Sequence, residues 1–163
     1  GVLAFGKSLA DIYRKNRWND NVWVLHEAAD ISIFKPDETR PLTGDVVWVG
    51  NGGDQERTAE LHQYLIEPAR QLNLSGSVYG VRYPDSAIAA FENVGLSHRD
   101  WLANYKVPDV FNRHRVTVHI PRKPYAQLLK GIPTIRPFEA MACGIPLITA
   151  PWEDTENLFT GVG

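Results

Sequence analysis

Cysteine is almost missing from this chain. Cys143 stands alone, so no disulfide can form within it, and stability has to come from a packed core. Flanked by Ala142 and Gly144, that cysteine reads as a small buried hydrophobe. No run of about 18 apolar residues occurs, so no segment has the length of a membrane span. An excess of one charge is lacking too. The net charge is −2, which carries no electrostatic signature of a nucleic-acid partner. A basic start followed by a long apolar run is absent, so "GVLAFGKSLADIY" reads as a strand and a helix rather than a secretory leader. These absences point to a cytoplasmic protein. There is no internal repeat and no low-complexity tract. What remains is ordinary globular composition, 44% apolar and 22% charged over 163 residues, enough for one domain with a hydrophobic core.

Short apolar runs alternate with amphipathic segments. "VLAF" (2–5) and "VWVL" (22–25) are strands, with a helix from about Lys7 to Arg14 between them. "HEAADISIFKPDETRPLTG" (26–44) is a polar, proline-bearing connection and reads as a linker. "DVVWVG" (45–50) is an unbroken apolar run of the kind found in strands buried on both faces. A helix over about 54–72 follows, its Leu61, Leu65, Ala69 and Leu72 forming one apolar face. "SVYGV" (77–81), "RVTVHI" (115–120) and "PLITA" (146–150) are further strands. Helices are expected in "PDSAIAAFENV", in "HRDWLANY", in "TIRPFEAMAC" closed by Gly144, and starting at "EDTENLF". The alternation predicts an α/β fold, a Rossmann-like doubly wound parallel sheet.

Two passages carry chemistry. In "VVWVGNGGDQER", Gly50, Asn51, Gly52 and Gly53 separate a buried strand from a helix start. Glycines let a backbone approach a ligand closely, and a helix start offers free N–H groups to an anion. Arg57 follows, able to add a charge-assisted bond. The passage is neither a dinucleotide fingerprint, since Gln55 stands where a third glycine is needed, nor a Walker loop, since no Gly-Lys-Ser/Thr follows. A phosphate site and a plain tight turn capped by Asp54 both remain open.

The second passage is "GIPTIRPFEAMACGIPL" (131–147). Thr134 is placed to cap a helix with Pro137 in its first turn. Arg136 lies at the positive end of that helix, where the dipole disfavours a cation, so its placement fits service to an anion. Glu139 sits among apolar neighbours. It can accept from a ribose diol, lie on a solvated face, or pair with an arginine.

"PFEAMACGIPLITAPWEDTENLF" resembles the donor-binding segment of retaining GT-B glycosyltransferases of the group 1 type, most closely a spore-maturation-like subgroup. "VLHEAADISIFKP" resembles the hinge between their domains, "VVWVGNGGDQERTAELH" the start of their nucleotide-binding half, and "VTVHIPR" the strand end before their glutamate motif. The resemblance covers nearly the whole chain. It implies that 1–25 ends an acceptor-side domain or is its connecting strand-helix, that 26–44 is the interdomain linker, and that 45–163 is a Rossmann-like domain that binds the nucleotide sugar, lacking its last helices. An acceptor-binding domain preceding Gly1 is also implied.

The resemblance further implies a reaction and a set of roles. A sugar passes from a nucleotide-diphosphate donor to a glycan, lipid or protein acceptor, without cofactor or metal, and with peripheral membrane contact through the preceding domain. Arg57 and Arg136 would stabilise the diphosphate leaving group. Gly50, Asn51, Gly52, Gly53, Thr134, Ile135, Glu139 and Glu156 would hold the donor, with Glu139 on the ribose. Several positions depart from the family: the hinge has His26 and Glu27 in place of Asn-Gly, and the basic pair that holds the diphosphate is only partly matched, by Arg57 with Arg136 as a substitute. Gly131 stands where the family's first glutamate falls, and Thr134 where the family usually has a glycine.

Trp101, with Tyr105, can stack on a base or pack in a core. His119 can line the cleft at a strand end or serve as a hydrogen-bonded structural residue. His114, five positions earlier on the same strand, points to the opposite face and cannot share a metal with it. "PRKP" (121–124) can meet phosphate or form a solvated turn. A non-catalytic nucleotide-binding module and a GT-B-fold nucleotide-sugar epimerase are the competing functional readings.

Overall fold

The computed structural model describes residues 1–53 and 56–159. The "DVVWVG" run sets the architecture. It forms β3 (Gly44–Val49), whose alternate side chains enter two different cores. Val46 and Trp48 face one side and Val47 the other, as the two-residue period of a strand requires. β3 is the centre of a five-stranded sheet with β4 (Gly76–Tyr79), β5 (Leu96–His98), β6 (His114–His119) and β7 (Leu147–Thr149), in the order β5-β4-β3-β6-β7. All of its pairings are parallel. Parallel neighbours need crossovers, and these place helices on both faces.

On one face lie α2 (Thr58–Leu61), a π-helical stretch His62–Ile66 and α3 (Glu67–Leu72), which run on into one another. α4 (Asp85–Glu92) packs beside them, burying Leu65, Ile66 and Phe91 against Trp48 and Val78. On the other face α5 (Val107–Phe111) and α7 (Ile135–Cys143) bury Val107, Phe111, Ala140 and Cys143 against Val47. Phe34, from the polar connection 26–44, inserts into this second core and is 4% exposed. Asn112 Nδ2 donates to the Lys35 carbonyl at 3.0 Å. That segment is therefore seated on the sheet domain along part of its length.

A second, two-stranded parallel sheet pairs β1 (Val2–Ala4) with β2 (Val22–Val24), with α1 (Lys7–Lys15) between them. It buries a small core of Ala4, Ala10 and Val22 and leaves Leu3, Trp23 and Leu25 exposed.

Several expectations fail for physical reasons. The helix expected over "HRDWLANY" is a 3-10 turn at Asn104–Lys106 running into α5. The preceding "LSH", too short for any periodicity, is β5. "PRKP" opens a short helix, α6 (Lys123–Gln127), with Pro124 in its first turn. The helix expected from "EDTENLF" is replaced, as far as Phe159, by turns tied to Asp154. Its carboxylate accepts from the Leu158 and Phe159 amides at 2.9 and 2.8 Å, offering the backbone a local alternative to the helix. The helix expected from 54 begins at Thr58, with Arg57 at its N-cap position. Asp54, the expected cap, lies outside the described residues.

Candidate functional site

Strand order β5-β4-β3-β6-β7 reverses direction between β3 and β6. Crevices open at such a switch point, beyond the carboxyl ends of the strands. Two contiguous clefts lie there. One, of about 250 Å³, is lined by Trp48, Arg57, His119, Thr134, Ile135 and Arg136 among others. Its neighbour, of about 210 Å³, is lined by Gly50, Asn51, Tyr79, Trp101 and Arg136. Arg136 and Val49 belong to both. The sequence-predicted residues Arg57, Thr134, Ile135, Arg136, His119, Trp101, Gly50 and Asn51 are thus brought together at one place.

Arg57 is held under the crevice. Its guanidinium donates to the Ile120 carbonyl at 3.2 Å and to the Asn51 carbonyl, and lies 5.4 Å over the Trp48 ring. The Nε is buried with no hydrogen-bond partner. No carboxylate among the described residues forms an ion pair with it: nearby Glu56 pairs with Arg122. Burial pushes its pKa down. A cation taken out of water without a counter-ion is costly unless a ligand supplies the charge.

Arg136 and Glu139 occupy the first turn of α7 and the turn above, three residues apart. They pair with each other. Glu139 Oε2 accepts from Arg136, and Oε1 accepts from Asn104 Nδ2 at 3.0 Å. Glu139 is 1% exposed. Burial raises its carboxyl pKa, opposed by the Arg136 charge. Of the readings open for Glu139, the arginine pair is the one the structure displays. Asn104, which joins the pair, gave no signal in the sequence, because its approach depends on the irregular 99–106 segment.

The glycine turn is built differently from a plain phosphate cradle. The Gly50 and Gly52 amides donate to the Tyr79 and Val81 carbonyls, both at 2.9 Å. Asn51 Oδ1 accepts from the Val81 amide at 3.0 Å. These glycines serve close backbone contact with the 80–83 loop, where a Cβ on Gly52 would collide with the Arg82 carbonyl. Gly53 takes φ +68°, a conformation glycine adopts freely.

His119, at the end of β6, is 5% exposed. Its Nδ1 lies 3.1 Å from Thr149 Oγ1 and its Nε2 3.2 Å from Thr134 Oγ1. Burial, reinforced by the Arg57 and Arg136 charges, pushes its pKa down to about 4, so the ring is neutral at pH 7. His114, on the opposite face, bonds the Val110 carbonyl at 2.8 Å. No cluster of three metal-ligating side chains occurs among the described residues.

Glu139 lines neither cleft, and neither does Glu156. Glu156 Oε1 accepts from the Lys7 amide at 2.7 Å, and its Oε2 lies 3.2 Å from His26 Nε2. It caps α1, whose N-cap residue Gly6 offers no side chain, and so joins the two-stranded unit to the sheet domain. Trp101 stands 71% exposed at the mouth of the smaller cleft, as a stacking platform does and a core aromatic does not. Tyr105 is likewise exposed but lines neither cleft. Gly131 has φ +80°, and a Cβ there would collide with Thr155 Oγ1. The chain cannot hold a glutamate at that position without rearrangement.

A doubly wound parallel domain with a charged crevice at its switch point is a nucleotide-binding architecture. Residues 57–162 match the glycosyl transferase-like family profile, and the chain belongs to that family. No curated protein matches at a significant level. Among solved structures, three share the fold. AviGT4, a glycosyltransferase involved in avilamycin A biosynthesis, is 8% identical with a TM-score of 0.65, and the match covers 95% of this chain and 45% of that one. Anabaena Alr3699/HepE, solved with UDP and glucose, is 12% identical with a TM-score of 0.63, covering 94% and 45%. An alpha-glucosyltransferase solved with UDP and a 13-mer DNA containing a HMU base is 14% identical with a TM-score of 0.54, covering 91% and 49%. The likeness to all three is one of fold. The chain spans less than half the length of each. No described helix is long and apolar enough to cross a membrane.

Proposed function

We propose that this chain supplies the donor-binding half of a nucleotide-sugar-dependent glycosyltransferase. The observation that carries the reading is Arg57, buried at the switch point with no ion-pair partner among the described residues, its burial only partly offset by the charges of Glu56 and Glu60. Arg57 and Arg136 bind the diphosphate and stabilise the charge that develops on it as the glycosidic bond breaks, with no metal required. Trp101 stacks on the base. Gly50, Asn51, Thr134 and Ile135 line the cleft around the donor, and Gly52 and Gly53 shape the turn behind it. Arg136 turns from Glu139 to the diphosphate when the donor arrives, which frees one Glu139 oxygen for the ribose diol. Glu156 acts outside the cleft, tying 1–25 to the donor domain.

We divide the chain into the end of an acceptor-side domain (1–25), a linker (26–44) and the donor domain (45–163). The exposed Leu3, Trp23 and Leu25 fit a sheet that continues into that acceptor-side domain. The preceding domain, not this one, selects a glycan, lipid or protein acceptor and makes any membrane contact. The family match favours transfer over a non-catalytic module or an epimerase. Thermal-shift measurements with UDP, GDP, ADP and their sugars test the reading. At least one should stabilise the chain, by about 2.7 kcal/mol when present at a hundred times its Kd. The absence of a shift with every one of them refutes it.

A further inference from the structure

Thr134 is the cap residue of α7, yet its hydroxyl makes no capping bond. It is engaged instead in a chain of hydrogen bonds whose direction can be worked out. Thr149 Oγ1 lies 3.0 Å from the Ala150 carbonyl. A carbonyl oxygen only accepts, so the Thr149 proton is committed there. His119 Nδ1, 3.1 Å from the same hydroxyl oxygen, must then be the donor and carry the ring proton. A neutral imidazole has one N–H, which leaves Nε2 as a bare acceptor. Thr134 Oγ1, 3.2 Å from Nε2, therefore donates its only proton to His119. What Thr134 turns to the cleft is lone pairs.

We propose that Thr134 Oγ1 is a fixed hydrogen-bond acceptor that reads a hydroxyl of the donor sugar, with His119 as the positioning residue that keeps it one. This rests on the nucleotide-sugar reading given above. A phosphate oxygen carries no proton for Thr134 to accept, so the diphosphate belongs to the guanidinium donors Arg57 and Arg136, which line the same cleft. A sugar hydroxyl does carry one.

Two measurements on the 163-residue chain test the proposal. In ¹⁵N NMR at pH 7, His119 should show a protonated Nδ1 and a bare Nε2, and the opposite tautomer overturns the assignment. In calorimetry with UDP, GDP and ADP against UDP-glucose, UDP-galactose, UDP-N-acetylglucosamine, GDP-mannose and ADP-glucose, Thr134→Val should weaken a nucleotide sugar about three- to tenfold. The matching diphosphate should bind as before, and Thr134→Ser should retain the sugar's affinity. Equal losses for sugar and diphosphate, or no loss, overturn the sugar contact alone. If the parent chain binds none of these nucleotides, the nucleotide-sugar reading itself falls, and the sugar contact with it.

Discussion

Replacing Arg57 with methionine should separate stability from binding. Methionine keeps much of the apolar stem while removing the charged end. The fold loses two guanidinium bonds, to the Ile120 and Asn51 carbonyls, each worth about 1.5–3 kcal/mol as charged donors. It also loses the stacking over Trp48, about 0.5–2 kcal/mol. Against this, it no longer buries a cation that is 8% exposed and unpaired among the described residues, a cost of several kcal/mol in real proteins. Terms of similar size and opposite sign largely offset one another, so the net loss should stay below about 3 kcal/mol. A bound diphosphate has no such compensation. It loses a charge-assisted bond of about 1.5–3 kcal/mol, roughly 10- to 150-fold in affinity. Thermal unfolding and calorimetry with the nucleotide that binds the parent chain read the two effects. A loss of more than about 3 kcal/mol in stability with affinity unchanged would show that Arg57 is a structural cation, and would refute the reasoning.

Trp101→Ala should weaken nucleotide binding by about 1–3 kcal/mol with little change in Tm, because the ring is 71% exposed; an unchanged calorimetric affinity refutes base stacking. Gly131→Ala should destabilise the chain by about 1–3 kcal/mol, read as a lower midpoint in urea, since it forces a side chain into φ +80° against Thr155. Glu156→Gln should raise amide hydrogen exchange in α1 while leaving nucleotide affinity intact, because the carboxylate caps Lys7 and lines neither cleft. His119 should make the chain acid-sensitive. Its folded pKa of about 4 lies below the ordinary 6.5, so the unfolded chain binds more protons between those values. The contribution is present above about pH 6.5 and is lost as pH falls through 4, amounting to about 3 kcal/mol. Urea titrations across that range should show the loss in the parent chain and a flatter curve in His119→Asn.

The unbroken apolar run at 45–50 announced a strand buried on both faces, and strand–helix alternation announced the layered fold. Both are properties of neighbours in sequence, which is why they were legible. "LSH" was too short to show a period, and Asp154 out-competed the helix expected at "EDTENLF" by bonding the amides of Leu158 and Phe159. The arginine and glutamate of "TIRPFEAMAC" were visible as residues set against their local preferences. Their mutual pairing, and the arrival of Asn104, depended on a segment whose path has no periodic signal.

The sequence by itself determined the α/β class, the helix ending at Gly144 and the residues able to meet an anion, because composition, period and capping act over a few positions. Only the tertiary structure decided which of those residues share a crevice. Parallel pairing of β3 with β6 puts Arg57, His119, Thr134 and Arg136 within one cleft, and the packing of 1–25 takes Glu156 away to cap α1. The glycines of the turn suggested close approach of a ligand, whereas in the structure what approaches Gly52 is the protein's own 80–83 loop. Contacts between residues distant in the chain follow from sheet order and burial, and no local pattern encodes them.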